Sequence, residues 1–154
     1  HGLPGSRSVA GGIFYLTDKN DPPDRLNGQI DTLCKIIDTS VCAAASESEY
    51  ATLYMNGQRG CHPRVILNEL GYTQPPTTIY TDNIVAKGIA HDEVTLRRSK
   101  AIHTRYHWIR DRVRQNQYNI KYLKGTKLDA DFFTKPQPPI KQKHFSSRLV
   151  VPTA

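Results

Sequence analysis

The stretch TTIYTDN, residues 77–83, decides how this chain is read. A short β-prone run ends on an aspartate, and charge at the end of a buried strand is costly unless something compensates it. Asp82 is therefore the residue to explain. Upstream, Gly71 is a natural helix stop, and residues 63–70 carry Val65, Ile66, Leu67 and Leu70 as a helix would. Further back, Ser46 and Glu49 have the spacing of a capping box, with Tyr50, Leu53, Tyr54 and Gly57 at helical intervals. Gly57, Gly60 and Pro63 interrupt that run, so a second helix is expected to begin at Pro63.

Residues 9–16 read as a strand, with the Gly11-Gly12 pair weakening it or marking a bulge. Residues 17–28 are dense in turn formers, and residues 29–37 resume a strand pattern through Ile30, Leu33, Ile36 and Ile37. Two adjacent antiparallel strands follow. Downstream of Asp82, residues 83–89 predict a short helix, and residues 102–115 a longer one with Ile102, Tyr106, Ile109 and Val113 on one face. Residues 118–123 alternate as a strand does, and residues 128–133 suit a last turn of helix ended by the prolines at 136–139. The order predicts an α/β chain in which an antiparallel pair leads into parallel strands. Residues 1–136 form the expected domain, and residues 137–154 a basic, then apolar, C-terminal tail.

At 154 residues and 38% hydrophobic content, the chain can build one real core. No apolar run reaches 18 residues, so no membrane association is expected. The N-terminus HGLPGSRS is neither a signal segment nor an initiator methionine, and the chain reads as a piece of something longer. Three cysteines without CxxC spacing argue against a disulfide framework, which points to a reducing intracellular setting, cytoplasm or nucleus. Cys61-His62 is half a metal site with no second half at ligand spacing.

Charge is unevenly placed. Residues 1–77 hold 6 Lys+Arg against 8 Asp+Glu, whereas residues 78–154 hold 15 against 6. Arg97, Arg98, Lys100, Arg105, Arg110, Arg112 and Arg114 face a single acid, Asp111, over one short span. Such a concentration attracts polyanions, so nucleic acid is the leading partner; a solvated basic helix is the plainer reading.

Three acids stand beside the expected core: Glu49 at the head of a helix, Asp82 at a strand end and Asp131 in KLDADFFTKP. Carboxylates gathered in one place repel, and a hard divalent cation held by oxygen ligands is the usual remedy. Two such ions about 3.5–4 Å apart can clamp the attacking and leaving oxygens of a phosphodiester displacement. Each acid also has a plain structural reading, as a helix cap, an N-cap for the next helix, or a surface charge.

SRSVAGGIFYL, ASESEYATLYMNG, LNELGYTQPPTTIYTDN, RRSKAIHTRYHWIRDRV and LDADFFTKP, in that order, resemble the ribonuclease H domain at the end of copia-type retrotransposon polyproteins. The resemblance spans about residues 6–136 and rests on the joint occurrence of these pieces. It implies a ribonuclease H-like mixed sheet flanked by helices, and hydrolysis of the RNA strand of an RNA·DNA hybrid with Mg²⁺ or Mn²⁺. The family's helix acid falls on Glu49; Glu47, two positions away, projects from a nearly opposite side. The other matched acids fall on Asp82 and Asp131, so the resemblance makes Glu49, Asp82 and Asp131 both catalytic and metal-binding. His103 stands where the family usually has an aspartate; with His107 and Asp111 it could form a metal face, although packing or phosphate contact is the favoured role. Trp108 and Tyr106 read as packing residues.

One departure matters. The family's first catalytic aspartate lies on its first strand, which falls upstream of His1, and residues 1–17 contain no acid. Asp18, Asp21 and Asp24 come too late to replace it. This chain is expected to lack most of that strand, to be impaired in hydrolysis, and to have a strand edge in need of cover. The intact domain is read as an endoribonuclease, with the alternative a catalytically silent, domesticated module binding nucleic acid or protein within a larger assembly. Expected partners are an RNA·DNA hybrid, held by Arg97, Arg98, Lys100, Arg105, His107 and Arg110, and the reverse transcriptase portion of the same polyprotein.

Overall fold

The computed structural model describes residues 8–16, 28–37, 45–91 and 100–149. The first two segments pair as antiparallel strands, β1 (Val9–Tyr15) and β2 (Gln29–Ile36). Helix α1 (Ala45–Glu69) leads to β3 (Thr77–Thr81), followed by α2 (Ile84–Ala90), α3 (Lys100–Arg114) and β4 (Tyr118–Tyr122). Two 3₁₀ segments, Gly125–Lys127 and Asp129–Phe133, and helix α4 (Pro139–Leu149) complete the order. The strands β3 and β4 are parallel, joined through α2 and α3. The chain is thus mixed α/β, with the antiparallel and parallel pairings that the sequence suggests.

Several expectations need correcting. Instead of one central sheet, the described residues form two separate two-stranded sheets, β1–β2 and β3–β4. Among the described residues no strand bonds to the free edge of β1, and a side chain caps it instead. Ile37 N–H donates to Ser8 O across the pair, so by alternation the Gly11 carbonyl lies on the outer edge. Asn56 of α1 donates its amide to that carbonyl at 2.9 Å.

The Gly11-Gly12 pair is no bulge; the irregularity falls between Phe14 and Tyr15. Successive residues of a strand face opposite ways, and here both faces are approached closely. A Cβ at Gly12 would collide with the Asn56 amide of α1, and one at Gly11 would come within 2.6 Å of the Ala130 carbonyl. The glycines let a helix and a 3₁₀ segment close on the strand from its two sides.

Helix α1 is one continuous helix of 25 residues, with Pro63 inside it, rather than two. It begins at Ala45, which puts Ser46 in its first turn instead of at its cap. Packing outweighs the local breakers. Gly57 lies against Ile109 and Trp108, and Gly60 faces Tyr118 and Phe14, so both mark places where other elements approach the helix. The stop at Gly71 holds: φ is +89°, Gly71 N–H reaches Asn68 O at 3.0 Å and Tyr72 N–H reaches Leu67 O at 2.9 Å, a Schellman closure. Asn116, φ +58°, closes α3 the same way through Gln117 N–H to Arg112 O.

The larger core joins Tyr50 and Leu53 of α1, Ala86, Ile89 and Ala90 of α2, Ile109 of α3, and Tyr118 and Ile120 of β4. A smaller cluster of Ala10, Ile37 and Ala51 fastens the first sheet to α1. Arg59 of α1 grips Asp31 of β2 with two bonds, 2.5 and 3.0 Å. The Arg59 hydrogen bond is the main reason the Asp31 carboxyl sits below its ordinary value of 3.8. A depressed carboxyl stabilises the fold above its unfolded pKa and loses that contribution as pH falls through its folded pKa. Because the pair is solvent-exposed the effect is small. Asp31→Asn should therefore flatten the fall of Tm below about pH 4 slightly, and a profile identical to wild type there would refute it.

Candidate functional site

Asp82 directly follows β3, at the carboxyl end of a parallel pair, where open α/β sheets place their ligands. Arg64 of α1 fixes the approach to β3: its guanidinium donates to the carbonyls of Pro75 and Gln74 and to the Thr77 hydroxyl. Gly125, just past the end of β4, lies so near that a Cβ there would be 2.9 Å from Asp82 Oδ2. The Asp82 carboxylate is thus at the shared carboxyl end of both strands.

Asn83 ties this end to α1. Its side-chain oxygen accepts from Ala86 N–H at 2.9 Å and caps α2, which fixes the amide's orientation. The Nδ2 group then donates to Glu49 Oε2. Glu49 and the residue next to Asp82 are therefore joined across 34 positions of sequence. The cap of α2 is Asn83, not Asp82, which leaves Asp82 free of that structural duty. Glu47 lies two positions from Glu49 in the first turn and is partly buried where Glu49 is exposed.

Asp131 has its own set of partners. It lies in the Asp129–Phe133 segment that packs on the Gly11 face of β1, and Lys135 pairs with its Oδ2 at 2.6 Å. Thr134 N–H and Oγ1 both bond its carbonyl, and Gln137 donates to the same oxygen at 3.0 Å. Helix α4 braces the segment from outside: Phe145 stacks on Phe132 at 3.9 Å between ring centres and meets Phe133 edge-on. Part of the C-terminal tail is thus ordered onto the Asp131 segment.

Among the described residues, no three His, Cys, Asp or Glu side chains gather closely enough to hold a metal ion. In this arrangement Glu49 accepts from Asn83 and Asp131 pairs with Lys135. What these groups do as they stand is orient one another. Asn83 and Lys135 are the neighbours that sequence reading missed; the N-cap preference of Asn and the i,i+4 spacing of Asp131 and Lys135 were the available signals.

Of the basic residues, Arg97 and Arg98 lie outside the described residues, and Lys100 opens α3. Arg105 and Arg110 are partly buried on α3 and His107 is exposed. Arg112 turns inward, its guanidinium 5.2 Å from the Trp108 ring centre and bonded to Gln117. Trp108 packs against the core, edge-on to Tyr54, as expected. Cys61 belongs to the packing: its Sγ lies 3.2 Å from the Tyr118 hydroxyl.

No family model matches the chain, and no solved structure matches it significantly. Over 98 residues, 64% of its length, it is 29% identical to the retrovirus-related Pol polyprotein from transposon TNT 1-94 of Nicotiana tabacum. The match covers 7% of that polyprotein and supports a retrotransposon-polyprotein origin. No described helix is long and apolar enough to cross a membrane.

Proposed function

We propose that the chain is a ribonuclease H-like module of a retroelement polyprotein, directed at the RNA strand of RNA·DNA hybrids, with Glu49, Asp82 and Asp131 as its acids. The observation that carries this reading is the junction of α1 with the carboxyl end of β3. Asn83, the residue after Asp82, bonds Glu49 of α1 beside the end of the parallel pair, which supports this reading. The similarity to a retrotransposon polyprotein supports the same class. Arg105 and Arg110 on α3, with Lys100, Arg97 and Arg98 before them in sequence, supply positive charge for the hybrid's phosphates, and His107 a further polar contact.

A second reading is favoured by the bonds the acids already make. Asn83 on Glu49 and Lys135 on Asp131 suit a silent module that keeps the fold for binding alone. Cleavage of an end-labelled RNA·DNA hybrid in Mg²⁺ decides between them. The assay compares the chain, a form extended at its N-terminus from the source gene, and the extended form carrying Asp82→Asn. Cleavage by the extended form well above the Asp82→Asn control supports the hydrolase; equal rates end that reading and leave the silent module. In either case hybrid affinity should fall steeply, by orders of magnitude for about 6–10 phosphate contacts, between 50 and 200 mM salt. A flat response would remove the phosphate contacts from both readings.

A further inference from the structure

Among the described residues no strand pairs with the outer edge of β4, and the alternation of the parallel pair says which groups face it. Thr77 N–H donates to Gln117 O and Leu123 N–H donates to Thr81 O, so the odd-numbered residues of β4 bond to β3. The N–H and C=O groups of Ile120 and Tyr122 therefore lie on the opposite edge. Helix α2 comes alongside it, and His91 Nε2, as donor, bonds the Ile120 carbonyl at 2.9 Å. Between helix and strand is an open recess of about 460 Å³, lined by Lys87, His91, Asn119, Ile120, Lys121 and Tyr122.

The chemistry of this lining has one sign. Lys87 of α2 and His91, the residue that caps its C-terminal end, are four positions apart, and Asn119 and Lys121 share a face of β4. Two lysines, an asparagine and a histidine line the recess, and among the described residues no acid lines it. Among the described residues neither lysine has a carboxylate partner. The His91 bond occupies the Ile120 carbonyl, and among the described residues no bond is made by the edge N–H groups of Ile120 and Tyr122, which are donors for an anion. Tyr122 lines the same recess and is 45% exposed, offering the kind of aromatic face on which unpaired nucleotides stack near positive charge. The strand is only five residues long and has a lysine on it, features that discourage another strand from pairing.

We propose that this recess is a binding site for single-stranded nucleic acid, taking a backbone phosphate between Lys87 and Lys121 and a base on the Tyr122 ring. Neither Glu49, Asp82 nor Asp131 lines it, and the proposal stands whether or not the chain hydrolyses hybrids.

The test measures fluorescence anisotropy of labelled oligothymidylate with wild type, with Lys87→Gln/Lys121→Gln, with Tyr122→Leu, and with Arg105→Gln/Arg110→Gln on α3. Loss of the lysine pair should weaken binding about tenfold and lower the salt slope by about 0.7, the value for one phosphate of a single strand. Tyr122→Leu should weaken binding with an unchanged slope. Thermal melts check that each variant is folded. In parallel, inorganic phosphate added to ¹⁵N-labelled wild type should shift the Ile120 and Tyr122 amide signals, a measurement that needs no variant. Unchanged affinity and slope in the lysine variant, or phosphate shifts confined to other residues, would overturn the proposal. So would loss of binding only in the α3 variant, or edge-amide shifts produced by an uncharged extended peptide and not by phosphate. Hybrid cleavage is read separately, so failure of the hydrolase reading leaves these outcomes intact.

Discussion

Tyr118→Ala is expected to lower the unfolding free energy by about 3–5 kcal/mol, the range for emptying a large aromatic site in a core. The residue is 2% exposed, yet it carries a hydroxyl, and the fold meets both halves of that side chain. Its ring lies in the main cluster, 6.3 Å from Trp108, facing the part of α1 where Gly60 leaves room. The hydroxyl donates to the Gly57 carbonyl at 2.6 Å and touches Cys61 Sγ. One residue thus clamps β4 to the middle of α1, in the stretch where local sequence would break the helix. Tyr118→Phe keeps the ring and loses the bond, so it should cost about 1 kcal/mol.

The same site makes a prediction in pH. Burial, and then the hydrogen bond with Cys61, hold the Tyr118 hydroxyl well above its ordinary value of 10.0. A group whose folded pKa is raised stabilises the fold fully below the unfolded pKa and loses that contribution as pH rises. Wild type should therefore lose stability above about pH 10, and Tyr118→Phe should lose less over the same interval. Urea titrations at pH 7 and in the alkaline range check both points. A Tyr118→Ala variant within 1 kcal/mol of wild type would show that β4 is not clamped in this way.

What could be read in the sequence divides along a physical line. Strands and helices set by a local period, such as TTIYT at β3 or the apolar face of α3, lie close to where the pattern puts them. So does the stop at Gly71, because a positive φ is a local demand that a residue type announces. Features settled by partners distant in sequence were not legible. Gly57, Gly60 and Pro63 read as breakers because nothing local shows that Trp108 and Tyr118 pack against those glycines and hold the helix together. Gly11-Gly12 read as a bulge for the same reason. For the candidate site, Asp82 declared itself by standing at a strand end, and Glu49 by opening a helix. That Asn83 would bond Glu49, and that Lys135 would pair with Asp131, depends on side-chain reach that spacing alone does not give.

Gly11→Ala is expected to destabilise the fold by about 1–3 kcal/mol through overpacking, and to do so at one identifiable seam. The added methyl would stand 2.6 Å from Ala130 O and 2.7 Å from Thr134 Cγ2. The first contact is backbone, which cannot rotate away, so the Asp129–Phe133 segment must lift from β1. Gly11 has no left-handed φ among the described residues, and alanine is free to adopt its backbone; the cost comes from contact alone. Thr134→Ser removes that side chain's methyl group but leaves the Ala130 carbonyl in place, so the double variant should recover only part of the loss. Hydrogen exchange should show the effect where it arises, with amides of residues 129–134 opening more readily while the β1–β2 amides keep their protection. Lifting the segment also moves Asp131, so, on the hydrolase reading proposed above, the extended form should cleave hybrid more slowly although all three carboxylates are intact. Full recovery by Thr134→Ser, or exchange spread evenly over the molecule, would mean that the two faces of β1 do not fix the position of Asp131.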